Sequence, residues 1–278
     1  MSAVRHRIIG LLIALVLANF YAFAQDMGNL QPSTPDPVTL LVGKNCEWIF
    51  QTQTELAPVA QACEAALRMR ESMPNFVCDL KVKREQKGHR DVVTAEVTYL
   101  NGHEQFGSVR INGIPIKDPN AAQARNWTSG EFSPPALAVL EARPIATFAF
   151  QGETAVNHAQ RLDFDFSVPH PNEAWLWTFF GRSYNPAFHG SLSIDKRTGF
   201  VRNFTMIADQ LPRDVPYSSV KISTDYDSIT IAGLGVYQLP VHAVLDTCQR
   251  RSWHCDHNVK EFTGCRRFAA KSRILTDP

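Results

Sequence analysis

The sequence has no hydrophobic run long enough to cross a membrane. Its most apolar stretch, Ile8–Phe20, has 13 residues, whereas a membrane-spanning helix needs about 20. A short basic lead precedes this stretch, and Ala22-Phe23-Ala24 follows it with the small side chains of a signal-peptidase site. The pattern predicts a signal peptide over 1–24, no membrane span after its cleavage, and a periplasmic or secreted protein.

Signatures of common enzyme classes are missing as well. The chain contains no Gly-x-Ser-x-Gly elbow, no His-Glu-x-x-His zinc motif and neither of the glycine patterns that bind nucleotide phosphates. Export also separates a protein from ATP and NAD, so no cofactor is expected. These absences favour a non-enzymatic protein. An enzyme of unrecognised type that acts on envelope material stays open as an alternative.

A strong net charge is absent too. The chain has 28 Lys and Arg against 27 Asp and Glu, a formal net charge of +1. A near-neutral protein exerts no global attraction on nucleic acid, and no nucleic-acid partner is expected. The segment after Cys248 is locally basic, with Lys260 among its cations. Such charges favour a solvated strand face, and contact with anionic lipid headgroups is the alternative.

Cysteine is present in an even number. All six cysteines follow the predicted cleavage site: Cys46, Cys63, Cys78, Cys248, Cys255 and Cys265. An even count in an exported chain favours disulfides. A zinc site is the rival interpretation, and its candidate ligands are Cys248, His254, Cys255, His257 and Cys265. The spacing matches no regular zinc pattern, so no metal is expected.

Six cysteines allow 15 pairings, and sequence alone does not choose among them. A short gap between two strands favours a bridge across a hairpin, and the turn from the first helix to the first strand favours another. Elimination then leaves a bridge between the two ends of the chain. The resulting hypothesis is Cys248–Cys255, Cys63–Cys78 and Cys46–Cys265.

Periodicity changes along the chain. Glu55–Met73 has apolar residues at helical spacing and is rich in good helix formers. A short helix is predicted over Pro135–Glu141, after an N-cap and a first-turn proline. Alternation with a period of two predicts strands elsewhere, and Asn112-Gly113 predicts a two-residue hairpin. The further strands are predicted near 78–84, 93–99, 109–116, 146–150, 162–168, 175–180, 188–195, 200–208, 220–226, 236–245, 259–262 and 267–274.

These elements predict an α+β fold that is mainly β. Short strands joined by turns, without a β-α-β rhythm or an internal repeat, favour antiparallel pairing. Residues 25–54 are expected to form a polar lead-in, and residues 55–278 a single domain. The expected architecture is a curved antiparallel sheet with an N-terminal helix and a short mid-chain helix packed on it.

Three local stretches carry a resemblance to exported bacterial proteins of acidobacterial type. They are 65–78 with its Pro-Asn-Phe-Val-Cys strand start, 128–132 (Thr-Ser-Gly-Glu-Phe), and 190–202 continuing to Leu239-Pro240-Val241. The third stretch is similar to the outer-membrane lipoprotein-sorting, or periplasmic lipoprotein carrier, family. The resemblance implies a half-barrel whose concave apolar face is covered by helices and holds acyl chains. It implies no catalytic residue.

Aromatic side chains are concentrated in the middle third of the chain. Four of them are predicted to line an apolar ligand pocket: Phe164, Phe166, Trp177 and Phe179. The alternative is that these rings fill an ordinary sheet core. The expected function is therefore an exported envelope protein that binds an acyl or lipid-like ligand and contacts an envelope protein partner. A structural or interaction module without a ligand is the alternative.

Asp163 and Asp165 stand two residues apart on one predicted strand and face the same way. Paired carboxylates suit acid–base chemistry or a cation site. The neighbouring residues of this strand are Leu162, Phe164 and Phe166, which define the buried face. The two aspartates are therefore expected on the solvated face of an amphipathic strand.

Overall fold

A computed structural model describes most of the chain after the predicted signal peptide. The described residues are 46, 49, 56–117, 130–132, 135–140, 146–156, 159–170, 177–179, 182–252 and 254–268; for 135, 138, 177–179 and 182 this is backbone only. The predicted signal peptide, 1–24, lies outside them, as does nearly all of the lead-in 25–54. No helix among the described residues is long and apolar enough to cross a membrane.

The described part of the chain contains two helices, α1 (Ala57–Ser72) and α2 (Pro135–Leu140). In chain order its strands are β1 (Phe76–Gln86), β2 (His89–Leu100), β3 (His103–Ile111), β4 (Ile114–Pro115), β5 (Thr147–Val156), β6 (Ala159–Val168), β7 (Trp177–Phe179), β8 (Arg182–Tyr184), β9 (Phe188–Asp195), β10 (Val201–Ala208), β11 (Tyr217–Ile231), β12 (Gly235–Gln249) and β13 (Cys255–Arg267). The strand content confirms the predicted fold class.

Eleven strands form one antiparallel sheet in the order β4-β3-β2-β1-β13-β12-β11-β10-β9-β6-β5. The sheet is curved and does not close into a barrel, and β7 pairs only with β8. The first strand, β1, lies beside the last, β13, near the middle of the sheet. The two ends of the described domain therefore meet inside the sheet.

Alternating burial explains why these segments form strands. In β1, Leu80 and Val82 are buried while Lys81 and Lys83 are exposed. The buried side chains of all central strands lie on one face of the sheet, here called the inner face. Helix α1 packs against α2 and β9, and α2 packs against β10. Among the described residues, the helices therefore lie over the half of the inner face that contains β9 and β10.

Tight hairpins join the first four strands. Asn112 and Gly113 have φ angles of 50° and 82°, so the predicted hairpin is confirmed. Asn101-Gly102 and Lys87-Gly88 adopt the same left-handed conformations. Asn-Gly favours such two-residue turns because both residues tolerate positive φ. Pro115 lies on the edge strand β4. Its lack of an N–H group costs the sheet no hydrogen bond there.

The helices match their predictions within two residues at each end. In α1, Pro58 lies in the first turn and the buried face includes Val59, Cys63 and Leu67. The strand predicted at 259–262 is present and is longer than predicted, since β13 pairs with β1 from 257 to 267 apart from one bulge. The strand predicted at 267–274 lies, after residue 268, outside the described residues.

The cysteines form three bridges, and the predicted pairing was partly wrong. Cys248–Cys255 joins β12 to β13 across their hairpin, as predicted. The other two bridges are Cys46–Cys63 and Cys78–Cys265, rather than Cys63–Cys78 and Cys46–Cys265. Cys78 lies on β1 and bonds to Cys265 of the neighbouring strand β13, whereas Cys63 of α1 bonds to Cys46.

Candidate functional site

Four aromatic rings fill the half of the inner face that the helices leave uncovered. Phe132 inserts between the rings of Phe76 and Phe262, with 5.1 Å between centroids in both contacts. Tyr99 stacks on Phe76 at 5.4 Å. Phe132 belongs to the Thr-Ser-Gly-Glu-Phe stretch. The segment Gly130–Phe132 therefore packs over β1, β2 and β13 and closes this half of the core.

Under the helices, Phe164 and Phe166 lie on the inner face of β6 and are buried. Phe166 stacks on Phe204 with centroids 5.5 Å apart, and it meets Phe188 edge-on at 6.2 Å. Phe164 contacts the ring of Phe150 at 5.3 Å. Both predicted ligand residues therefore pack against neighbouring rings. Their contact with a ligand stays a prediction.

Trp177 and Phe179 lie on β7, opposite Tyr184 and Arg182 of β8. The predicted strand is present, and it belongs to a separate two-stranded sheet. The side chains of Trp177 and Phe179 lie outside the described part of the structure. Their assignment to an apolar pocket stays a prediction.

A cavity opens between the helices and the sheet. Its volume is about 20 Å³, which is room for about one water molecule. The helices contribute four of its lining residues: Ala62, Ala66, Met69 and Ala136. Three of these are alanines, whose methyl groups reach a short distance from the helix axes. Small side chains at this interface leave room that leucine or phenylalanine would fill.

The sheet forms the floor of the same cavity. Its residues are Phe200 and Val201 at the start of β10, Tyr226 on β11 and Gln238 on β12. The exposed lining is almost entirely apolar, and none of the eight lining side chains is charged. Tyr226 and Gln238 are buried. The cavity is therefore an apolar space with two neutral polar groups in its floor.

Neither polar group is well paired within the described residues. The Gln238 amide nitrogen donates to the Val201 carbonyl at 3.5 Å, at the long end of the hydrogen-bond range, and its carbonyl oxygen accepts from Ser228 at 3.3 Å. The Tyr226 hydroxyl makes no hydrogen bond of normal length there, although Thr224 acts on its pKa as a side-chain hydrogen-bond partner. Unpaired buried hydroxyls are uncommon because they lose water without replacement.

A buried ion pair lies close enough to Tyr226 to act on it electrostatically. Lys260 of β13 donates to Glu131 at 2.5 Å, and both side chains are at least 96% buried. Glu104 of β3 accepts hydrogen bonds from the backbone amides of Gly130 and Phe132, each at 2.8 Å. These contacts hold the Gly130–Phe132 segment at both its backbone and its acidic side chain.

The cluster shifts two pKa values. Burial, followed by repulsion from Glu131, raises the pKa of Glu104 from 4.5 to about 7, although its two amide hydrogen bonds act in the opposite direction. Burial is also the main cause of the strongly raised pKa of Tyr226; the carboxylates of Glu131 and Glu104 add to it, and Thr224 opposes it. Tyr226 is therefore protonated at physiological pH.

Sequence reasoning missed Lys260 and Glu131, because it placed the basic C-terminal charges on a solvated face. The alternation of side chains along β13 contained the signal that sequence reasoning overlooked. Phe262 points inward, and a period of two places Lys260 and Asn258 on the same face. All three side chains are buried. The prediction that Lys260 lies on a solvated strand face was therefore wrong.

Asp163 and Asp165 do not form a site with other acids. Asp163 accepts hydrogen bonds from Thr154, at 2.8 Å, and from Ser193. Asp165 is exposed. No group of three or more potential metal ligands occurs among the described residues. The pair lies on the outer, solvated face, as its strand pattern predicts.

Comparison with known proteins finds similarity among solved structures. No family model and no curated protein matches the chain. Among solved structures it is similar to a LolA superfamily protein from Nitrosomonas europaea, with 9% identity, a TM-score of 0.37, and coverage of 78% of this chain and 97% of the other. At such low identity this similarity concerns fold and carries no argument about ligand or activity.

Two further solved structures are similar to the chain to the same degree. A DUF1329 family protein from Desulfovibrio piger has 12% identity and a TM-score of 0.38, with coverage of 77% and 95% of the two chains. An outer membrane lipoprotein-sorting protein domain from Vibrio parahaemolyticus has 7% identity and a TM-score of 0.36, with coverage of 75% and 92%.

Proposed function

We propose that this protein is exported to the periplasm or beyond and binds an apolar, acyl-type ligand without transforming it. The observation that carries the proposal is the cavity between the helices and the inner face of the sheet. Its lining is almost wholly apolar, and alanines on both helices leave it unfilled. An acyl chain would enter only after the helices move away from the sheet, and its burial would then yield about 0.8 kcal/mol per methylene group.

The open architecture supports the same proposal. Strands β4 and β5, at the two edges of the sheet, are not paired with each other. Helices α1 and α2 contact the sheet through β9 and β10. A small displacement of the helices would widen the cavity without breaking a strand ladder. The proposal includes signal-peptide cleavage after residue 24, a single domain over 55–278 and an envelope protein as partner.

Binding of a neutral fluorescent alkyl probe to the mature protein tests the proposal. With N-undecyl dansylamide we expect saturable binding and a blue-shifted emission. Ala66→Leu extends a side chain into the cavity and should weaken binding at least tenfold. Ala155→Leu, an equal enlargement at an exposed position of β5, should leave binding unchanged. Absence of saturable binding by the wild-type protein contradicts the proposal.

A ligand-free interaction module is the second candidate. The ring contacts of Phe164 and Phe166 favour it, because they show that much of the inner face is filled by the protein's own side chains. Native mass spectrometry of protein purified from an envelope fraction separates the two candidates. A co-purified species of acyl-lipid mass supports the binding function, and a clean protein mass favours the module.

A further inference from the structure

The two edges of the large sheet differ in how they are protected. Strand β4, at one edge, has two residues and ends at Pro115. A short edge strand that contains a proline offers few backbone groups to a second chain. Strand β5, at the other edge, has ten residues, and its neighbour in the sheet is β6. The other side of the β5 backbone pairs with no strand among the described residues.

The inner-face side chains of β5 are apolar, and one of them is half covered. Phe148 and Phe150 lie opposite Phe166 and Phe164 of β6. The Phe150 ring packs on Phe164 at 5.3 Å between centroids, yet 47% of Phe150 is exposed. Helices α1 and α2 pack on β9 and β10, and β6 separates those strands from β5. A strand added beside β5 would therefore cover the Phe150 ring on the side away from the helices.

Charge on β5 does not oppose the approach of a like strand. Glu153 is the only ionisable residue of β5. Its carboxylate accepts two hydrogen bonds from the Lys196 ammonium, at 2.8 and 2.9 Å. Charged side chains, lysine above all, are a common protection of edge strands against pairing. The long edge of this sheet has one charged side chain, and that charge is already paired.

We propose that β5 pairs antiparallel with β5 of a second copy of this chain, across a twofold axis at Ala149. Directly opposed residues of antiparallel strands share a face, so the axis joins both inner faces on the same side of one continuous sheet. It places Phe148 of each copy opposite Phe150 of the other. A twofold interface uses the same surface twice, and a neutral strand with an apolar inner side meets that requirement.

The geometry of β5 is compatible with this axis. The bulge between Phe150 and Gly152 lies beyond Ala149, and Thr147–Phe150 pairs regularly with β6. The two Glu153 side chains would lie on opposite sides of the axis, about 26 Å apart along the strands at about 3.3 Å per residue. The inference goes beyond the proposed function and requires no ligand.

Sedimentation velocity of the mature protein over a dilution series tests the inference. We expect a concentration-dependent species with the mass of two chains. Ala149→Glu places two carboxylates opposite each other at the axis, each beside Asp165 of its own chain, and should weaken dimerisation about tenfold or more. Ala149→Gln has nearly the same size without the charge and should still dimerise. Ile114→Glu, at an exposed position of the other edge strand, is the matched control and should dimerise like wild type.

Hydrogen exchange of the wild-type protein locates the interface and does not depend on the folding of any variant. Amides of Thr147–Val156 should exchange more slowly in concentrated than in dilute protein, while those of His103–Ile111 should not change. A wild-type protein that stays monomeric, or a dimer that Ala149→Glu leaves intact, overturns the inference. A monomer with slow exchange in β5 overturns it too, since another part of the same chain would then cover the edge. None of these outcomes affects the acyl-probe test of the proposed function.

Discussion

Charged residues on the inner face are tolerated because each has a specific partner. Lys260 and Glu131 neutralise one another at 2.5 Å, and Glu104 accepts two backbone amides. An unpaired buried charge would cost several kcal/mol. The cluster anchors Gly130–Phe132, and this anchoring delivers the Phe132 ring to the aromatic core. A few polar contacts therefore position an apolar side chain.

Glu104 makes a pH-dependent contribution to stability. Its folded pKa is about 7 and its unfolded value is 4.5, so the folded state binds the proton more tightly. The stabilisation is complete below pH 4.5 and disappears as the pH rises through 7. The difference between the two pKa values corresponds to roughly 3 kcal/mol of unfolding free energy.

Glu104→Gln tests this contribution. Urea unfolding of both proteins between pH 5 and 8 should show the wild-type free energy falling relative to the variant. The variant should be less stable at low pH, since its amide nitrogen cannot accept one of the two backbone hydrogen bonds. Parallel pH profiles for the two proteins would show that Glu104 titrates with an ordinary pKa.

Among the strands, β9 depends on a residue without a side chain. Gly190 lies opposite Phe166 of β6 and Met206 of β10. A Cβ atom at Gly190 would overlap the Thr205 carbonyl oxygen and come within 2.9 Å of the Phe166 ring. The carbonyl cannot move without breaking the ladder. The close approach of backbone and ring therefore requires glycine at this position.

Gly190→Ala should consequently destabilise the protein by about 3 kcal/mol or more. Gly107 on β3 is the matched control, because a Cβ atom there meets nothing within 4 Å. Gly107→Ala should change the unfolding free energy by less than about 1 kcal/mol. Chemical denaturation of the two variants provides the comparison. Equal effects would show that β9 can relax around an added methyl group.

The prediction of strands and turns succeeded where it depends on residues that are close in sequence. Alternation in 78–84 and 93–99 and the Asn112-Gly113 turn depend on neighbours in sequence, and the structure confirms them. Lys260 was misplaced because its basic neighbours suggested a solvated face, although its period-two spacing from Phe262 places it on the buried one. The cavity was not predictable either, since it arises where alanines of α1 and α2 meet β10–β12 across long sequence distances.

At the scale of the whole molecule, the chain closes on itself through β1 and β13. Cys78 and Cys265 join these strands across 187 residues, whereas Cys248 and Cys255 are separated by only 7. A bridge restricts the unfolded chain more when its loop is longer. By chain entropy alone, the long bridge contributes about 5 kcal/mol and the short one about 2 kcal/mol.

Removal of each bridge tests this difference. Cys78→Ala with Cys265→Ala should lower the unfolding free energy by about 3 kcal/mol more than Cys248→Ala with Cys255→Ala. Non-reducing peptide mapping of the wild-type protein first verifies the three pairs. Equal losses in the two double variants would mean that residual structure in the unfolded chain, rather than loop length, determines the effect of the bridges.

The sequence by itself determined the mainly antiparallel class, the positions of most strands, the hairpin at Asn112-Gly113 and the bridge across the last hairpin. These features follow from side-chain alternation and turn preferences, which act between residues near in sequence. Only the tertiary structure decided that β1 lies beside β13, that Cys78 pairs with Cys265, and that Tyr226 lies in the floor of an apolar cavity. Those outcomes depend on which distant strands become neighbours, and that choice is made by packing of the whole inner face.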